Sequence, residues 1–80
     1  MEHIGIVLHK TSSQVCILAE DGQLIERRIK STRASFNELF ADRPQALILV
    51  EASTESEWVA SHLEEPGHEV IVADPNFAPM

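Results

Sequence analysis

Residues 46–53 read ALILVEAS, and this stretch decides the fold. Five apolar residues follow one another from Ala46 to Val50, and Glu51 ends the run. Such short continuous runs are typical of strands that are covered on both faces of a sheet. The sequence changes to a helical period on either side, so the run predicts a strand between two helices.

The helix before this strand is predicted over residues 32–42. Phe36, Leu39 and Phe40 fall at i, i+3 and i+4, which gives one apolar stripe, and Pro44 closes the segment. This stripe should face the sheet.

The helix after the strand is predicted within residues 53–67, which read STESEWVASHLEEPG. Thr54 and Glu57 have the spacing of a capping box, and the Pro-Gly pair at the end terminates the helix. Trp58, Val59 and Leu63 form its apolar stripe and are expected in the core.

Four further strands complete the pattern. Residues 3–9, 13–20 and 23–30 are rich in β-forming residues, and the Asp-Gly of EDGQ predicts a hairpin between the second and third. Charged residues alternate with Ile25 and Ile29 in the third strand, as an edge strand requires. Residues 68–74 give the last strand. The order β-β-β-α-β-α-β predicts one α/β domain over residues 1–80, with an antiparallel meander followed by parallel strands.

The first strand, within HIGIVLHK at residues 3–10, has apolar residues on both faces. Ile4, Ile6 and Leu8 point to one side, and Gly5 and Val7 point to the other. A strand of this kind is expected in the middle of a sheet.

Charge is distributed unevenly along the chain. The net charge is −7, and residues 44–80 contain seven acids but no Lys or Arg. A domain that grips nucleic acid by itself should carry a large basic surface. The basic cluster consists of Arg27, Arg28, Lys30 and Arg33. We interpret it as a solvated face, with phosphate contact as the alternative.

Targeting and metal-binding signals are weak. The N-terminus lacks a basic region followed by a long apolar stretch, and the apolar runs are too short to span a bilayer, so we expect a cytoplasmic protein without membrane contact. The single cysteine, Cys16, is expected to be a buried and inert thiol. His3, His9, His62 and His68 fit no zinc spacing and are expected at the surface or at strand ends.

Two carboxylates follow predicted parallel strands. Ligands collect outside the carboxyl ends of such strands, so Glu51 is a candidate metal ligand or general base. A solvated strand end, or a carboxylate that accepts N–H bonds at the next helix, is the other interpretation. Asp74 lies in DPN, where ordinary turn chemistry is favoured.

Longer phrases of the sequence resemble a known family. GIVLHKTSSQVCILAEDGQLIERR, VEASTESEWVASHLEEPGHEV and VIVADPNFAPM are similar to the N-terminal DEDD domain of insertion sequence 110 family transposases. The resemblance runs over nearly the whole chain, and it implies the opening half of an RNase H-like (RuvC-like) fold.

The resemblance also implies a catalytic site with Mg²⁺. The family's first strand reads G-I-D-x-H-K, and its metal-binding Asp aligns with Val7. The Glu of the family's EAS/EAT motif aligns with Glu51. The remaining acids come from a later TDxxDA motif, and the serine nucleophile lies in a second domain; neither is in this sequence. We therefore expect a truncated relative that retains one acid of the set.

Three functions follow as hypotheses. The first is an inactive unit related to Mg²⁺-dependent DNA recombination, whose full-length relatives act on DNA with a partner RNA. The second is a small interaction or regulatory module that self-associates or pairs with full-length transposase, because a sheet without the later helices should expose apolar surface. The third is a homodimeric enzyme that combines Glu51 and Asp74 from two chains.

Overall fold

Five strands and two helices make up residues 1–73, the part of the chain that the computed structural model describes. In chain order they are β1 (Glu2–Leu8), β2 (Ser12–Leu18), β3 (Leu24–Lys30), α1 (Arg33–Phe40), β4 (Ala46–Glu51), α2 (Ser56–Glu64) and β5 (Glu69–Ala73). This is the predicted order β-β-β-α-β-α-β. Asp74, the predicted end of the last strand, lies outside the described residues. The third hypothesis, a homodimeric enzyme that uses Glu51 and Asp74, depends on this residue and is therefore left untested.

The strands form one mixed sheet in the order β3-β2-β1-β4-β5. β1, β2 and β3 pair antiparallel as a meander, and β4 pairs parallel with both β1 and β5. The prediction of a central β1, an edge β3 and parallel strands joined by helices is confirmed. The fold is therefore a mixed α/β fold with a five-stranded sheet and two helices.

The hairpin between β2 and β3 forms where Asp-Gly predicts it. Gly22 has a φ of +89°, a left-handed conformation that glycine adopts without steric cost. Its N–H bonds to the carbonyl of Ala19 at 2.9 Å, and the N–H of Gln23 bonds to the carboxylate of Asp21 at 2.9 Å. The turn thus begins at Ala19, and β2 ends earlier than predicted.

The core lies on one face of the sheet, between the strands and both helices. The buried side chains of α1 and α2 include Phe36, Phe40, Val59 and Leu63, and Trp58 packs against them. From the strands they meet one set of alternating residues: Ile4, Ile6, Val15, Ile17, Ala46, Ile48 and Val50. The two predicted helical stripes are confirmed as the helices' contribution to this core.

The other face of the sheet is not covered by any element among residues 1–73. We call it the open face; its exposed apolar side chains are Val7, Leu18, Leu24, Leu49 and Ile71. The prediction that β4 is covered on both faces is wrong for this part of the chain, because both helices pack on the side of Ile48 and leave Leu49 at 49% exposure. For residues 1–73, the expectation of uncovered apolar surface is confirmed.

The start of α2 differs from the predicted capping box. The helix begins at Ser56, with Glu55 as its N-cap residue and no side-chain cap bond. The Ser56 hydroxyl instead donates to the carbonyl of Ser53 at 2.8 Å and accepts from the Ser53 N–H at 3.2 Å. This serine turn moves the helix start past Thr54, so Thr54 and Glu57 do not occupy the positions that a capping box requires.

Neither helix resembles a membrane span. α1 has 8 residues and α2 has 9, and no helix within residues 1–73 is long and apolar enough to cross a bilayer.

Candidate functional site

Val7 and Glu51 lie side by side on the open face. Ile6 of β1 pairs with Val50 of β4 in the parallel register, and each candidate residue follows directly at the carboxyl end of its strand. On the other side of Val7, the antiparallel register places Gln14 of β2 as its partner. Gln14, Val7 and Glu51 therefore form one row across three strands, although they are far apart in the sequence.

This row forms one wall of a shallow cavity of about 310 Å³. The cavity is lined by Gly5, Ile6, Val7, Gln14, Cys16, Leu49, Glu51 and Ala73. Most of these side chains are apolar, and the polar groups are the amide of Gln14 and the carboxylate of Glu51. The surface suits an apolar partner with a polar group at one end better than it suits a highly charged ligand.

The donors that residues 1–73 place at this site do not fit a magnesium ion. Mg²⁺ prefers octahedral oxygen coordination and is usually held by one or two carboxylates together with substrate phosphates. Val7 supplies no oxygen atom, which leaves Glu51 as the carboxylate of the row. Within residues 1–73, no group of three or more His, Cys, Asp or Glu side chains is placed to hold a metal ion.

No sequence pattern marks Gln14 as a site residue. Gln14 belongs to the site because the β1–β2 register places it opposite Val7 and because its side chain stands on the open-face side of β2. The Asp-Gly hairpin joins β2 to β3 and does not fix the β1–β2 register. The one sequence signal for the pairing of β1 with β2 is the short polar turn between residues 9 and 13.

Cys16 lies on the open face and not in the core. It is half-buried, and its Sγ lies 3.9 Å from a carboxylate oxygen of Glu26 on β3. The prediction of a buried thiol is wrong because the alternation of β2 directs Val15 and Ile17 into the core and Cys16 to the opposite side. The apolar neighbours in the sequence did not reveal this.

The structure separates the residues of the basic cluster. By strand alternation, Arg28 and Lys30 stand on the open-face side of β3, and Arg27 stands on the helix side. The guanidinium of Arg33 lies on the helix side as well, 5.0 Å from the ring centroid of Trp58, where a cation–π contact holds it. The four residues therefore do not form one basic surface.

His68 lies at a strand end, as expected, but it is buried. Its Nδ1 accepts a hydrogen bond from the backbone N–H of Ala46 at 3.1 Å. Burial lowers the pKa of His68, because the charged ring loses hydration. The ring belongs to the core under β4 and takes no part in the open-face row.

Comparison with known proteins gives structural similarity but no sequence match. No protein-family model and no curated protein matches the chain. Among solved structures, the type II variant of the Aquifex aeolicus Ppx/GppA phosphatase is similar to it, with 16% sequence identity and a TM-score of 0.46. The match covers 94% of this chain and 36% of that chain, so the chain spans well under half of the phosphatase's length. The resemblance to transposases stays a prediction.

Proposed function

We propose that the chain is an RNase H-like unit of the transposase type that does not cleave DNA by itself. The carrying observation is the adjacency of Val7 and Glu51 at the carboxyl ends of β1 and β4. In the resembled family these two positions carry metal-binding acids, which must be neighbours to share a metal ion. The element order β-β-β-α-β-α-β also agrees with the fold that the resemblance implies.

The chemistry of the row explains why cleavage is lost. Hydrolysis of a phosphodiester with two metal ions needs several carboxylates that hold the ions near the reacting phosphate. Val7 removes the acid that would stand beside Glu51. The row then offers one carboxylate, that of Glu51, and the neutral amide of Gln14. Such a pair of donors holds Mg²⁺ weakly. Wild-type protein incubated with DNA and Mg²⁺ should therefore leave the DNA intact, and Mg²⁺-dependent cleavage by the pure chain would overturn the proposal.

Restoring the acid tests the role of the Val7 position. We expect Val7→Asp to melt at a lower temperature than wild type in metal-free buffer, because two carboxylates side by side repel each other and a partly buried charge loses hydration. Added Mn²⁺ should raise the melting temperature of Val7→Asp, because the ion binds the folded state. The measurement is a thermal melt with and without metal.

Two matched variants control this experiment. Val7→Asn has the same shape as Val7→Asp without the charge, and its melting temperature should not respond to Mn²⁺. Adding Glu51→Gln to Val7→Asp should abolish the metal response. If Mn²⁺ stabilises wild type and Val7→Asp equally, the row is not the acid pair of a metal site.

The open face supports a second candidate function, that of a non-catalytic interaction module. Its five exposed apolar side chains line two adjoining shallow cavities that share Gly5, Cys16 and Leu49, which is typical of a site that another protein covers. Partners of this kind are a second copy or a full-length transposase of the resembled family. A pull-down with such a transposase tests the latter, with Leu49→Lys as the variant that should lose binding.

A further inference from the structure

Ser12 and Lys30 stand at one end of β2 and β3 on the open face, and the other side chains of this face form three rows that cross all five strands. The strand registers and the alternation of each strand define them. The upper row contains Arg28, Gln14, Val7, Glu51 and Ala73. The middle row contains Glu26, Cys16, Gly5, Leu49 and Ile71. The lower row contains Leu24, Leu18, His3, Leu47 and Glu69.

Charge is distributed asymmetrically across these rows. In the upper row, the cation Arg28 stands on β3 at one edge of the sheet, and the anion Glu51 stands on β4 in the other half. Glu69 adds a second anion on β5. The middle column on β1 contains Gly5 and Val7 and no acid or Lys/Arg, and Leu49 beside it is half exposed. On the open face, the β3 side thus carries Arg28 and Lys30 beside one acid, Glu26, and the β4–β5 side carries Glu51 and Glu69 without a Lys or Arg. The apolar centre lies between these two sides.

We propose that a second copy of this chain covers the open face, related by a two-fold axis that runs parallel to the strands in front of β1. Rotation about this axis reverses the order of the strands across the sheet. Each row of one copy therefore faces the same row of the other copy. β3 of one copy then faces β5 of the other, and β2 faces β4. The inference rests on the second candidate function, a binding role of the open face, and is independent of whether the chain cleaves DNA.

The charges select this axis. It places Arg28 of each copy over Ala73 of the other, one strand spacing of about 4.8 Å from Glu51, within reach of the long arginine side chain. It also places Leu49 over Cys16 and Leu18 over Leu47 at the apolar centre. A two-fold axis perpendicular to the strands would instead place Arg28 against Leu24, which leaves the cation unpaired, and Glu26 against Glu26 of the other copy, which brings like charges together. The parallel axis leaves Glu26 over Ile71 and Glu69 over Leu24 at the two edges of the sheet.

The shape and area of the open face suit this arrangement. An added Cβ on Gly5 would meet no atom within 4 Å, so the middle of β1 forms a groove between Cys16 and Leu49. Leu49 of the second copy arrives beside this groove. Three rows across five strands cover roughly 500 Å² on each copy, and the pair therefore buries about 1,000 Å², the lower limit for a specific interface and the size of a weak, reversible one. The sheets would pack as in an aligned sandwich.

Sedimentation equilibrium over a wide concentration range is the first test. We expect reversible dimers for wild type and association weakened by about tenfold or more for Leu49→Lys, which places a charge at the apolar centre. Ala34→Lys is the matched control, because Ala34 is exposed on α1 at the covered side of the sheet and the variant adds the same charge. Ile71→Lys serves as a second variant, and circular dichroism verifies the fold of each.

A charge exchange tests the axis itself. Arg28→Glu and Glu51→Lys should each weaken the dimer, and the two together should restore it. Within one chain these residues are about 14 Å apart across three strand spacings, so restoration requires contact between copies.

Three results would overturn the proposal. They are a wild-type chain that stays monomeric at every concentration, a dimer that Leu49→Lys leaves intact, and a double charge variant that is as weak as the single variants. If the first result is found and the monomeric chain still captures a full-length transposase, the dimer is overturned but the binding role of the open face survives.

Discussion

His68 links the last strand to the core through a ring that must stay neutral. Its Nδ1 accepts the N–H of Ala46, and the ring packs against Phe40 with centroids 5.5 Å apart. An imidazolium ring has no free acceptor nitrogen, so protonation removes this hydrogen bond. Burial acts in the same direction and lowers the pKa of His68 below its ordinary value of 6.5.

We predict that the folded state loses stability as the pH falls below about 6.5. The unfolded chain binds the proton at His68 more readily than the folded chain, so acid favours unfolding, and the loss levels off below the folded-state pKa. Urea unfolding at a series of pH values measures it. His68→Asn supplies an oxygen acceptor near the Nδ1 position without a titrating ring, and it should flatten the profile between pH 7 and the carboxylate range. Equal slopes in wild type and His68→Asn would contradict the prediction.

Val7 shows how far a single residue can be interpreted from sequence. The alternation of β1 correctly predicts a central strand, and the resemblance marks Val7 as the position of a lost acid. Neither reveals which face of the strand the helices cover, because Ile6 and Val7 are equally suited to a core. The structure leaves Val7 at 36% exposure, so an aspartate there would be partly hydrated and its cost reduced.

Among the elements, α2 illustrates why a local motif can mislead. T-x-x-E spacing is compatible with a capping box at Thr54, but the sequence SxxS at residues 53–56 offers a competing turn. The serine turn satisfies the N–H of Ser53 and places a buried hydroxyl at the first residue of the helix. Side chains of Ser and Thr compete for the same backbone groups, and spacing alone does not decide between them.

The two motifs make different predictions for stability. We expect Ser56→Ala to lower the free energy of unfolding by about 1 kcal/mol, because the variant loses both hydrogen bonds to Ser53. Thr54→Ala should change it much less, since Thr54 is exposed and is not the N-cap residue. Urea unfolding of the two variants beside wild type measures the difference. A larger loss for Thr54→Ala would restore the capping box as the correct interpretation.

For the molecule as a whole, the sequence predicts the chain order of the elements but not which side of the sheet the helices cover. Two strand–helix–strand crossovers, the Asp-Gly hairpin and the short polar turn between β1 and β2 are together enough to place β1, β4 and β5 parallel and β2 next to β3. They also bring Glu51 to the same sheet edge as Val7. Which side of the sheet becomes covered depends on how the apolar stripes of both helices dock. The sequence of β4 does not decide this, because Ile48 on one face and Leu49 on the other are equally suited to a core. For this reason the open face, and Gln14 with it, appears only in the structure.

The sheet should open from β3 rather than from its middle. β1 and β4 each have strand partners on both sides and contribute fully buried residues such as Ile6 and Val50. β3 has one partner strand, and its inward residues Ile25 and Ile29 are only half-buried. Local opening costs less free energy where fewer apolar contacts are lost.

Native-state amide hydrogen exchange, resolved by NMR, tests this order. Amides of β3 that are bonded to β2 should exchange before those of β1 and β4. β2 supplies an internal comparison, because its residues that donate to β1 should be more protected than those that donate to β3. A dimer through the open face leaves the outer edge of β3 unpaired and keeps this order, whereas edge-to-edge pairing would protect β3. Equal protection of β3 and β1 would therefore contradict both the order of opening and the face-to-face arrangement.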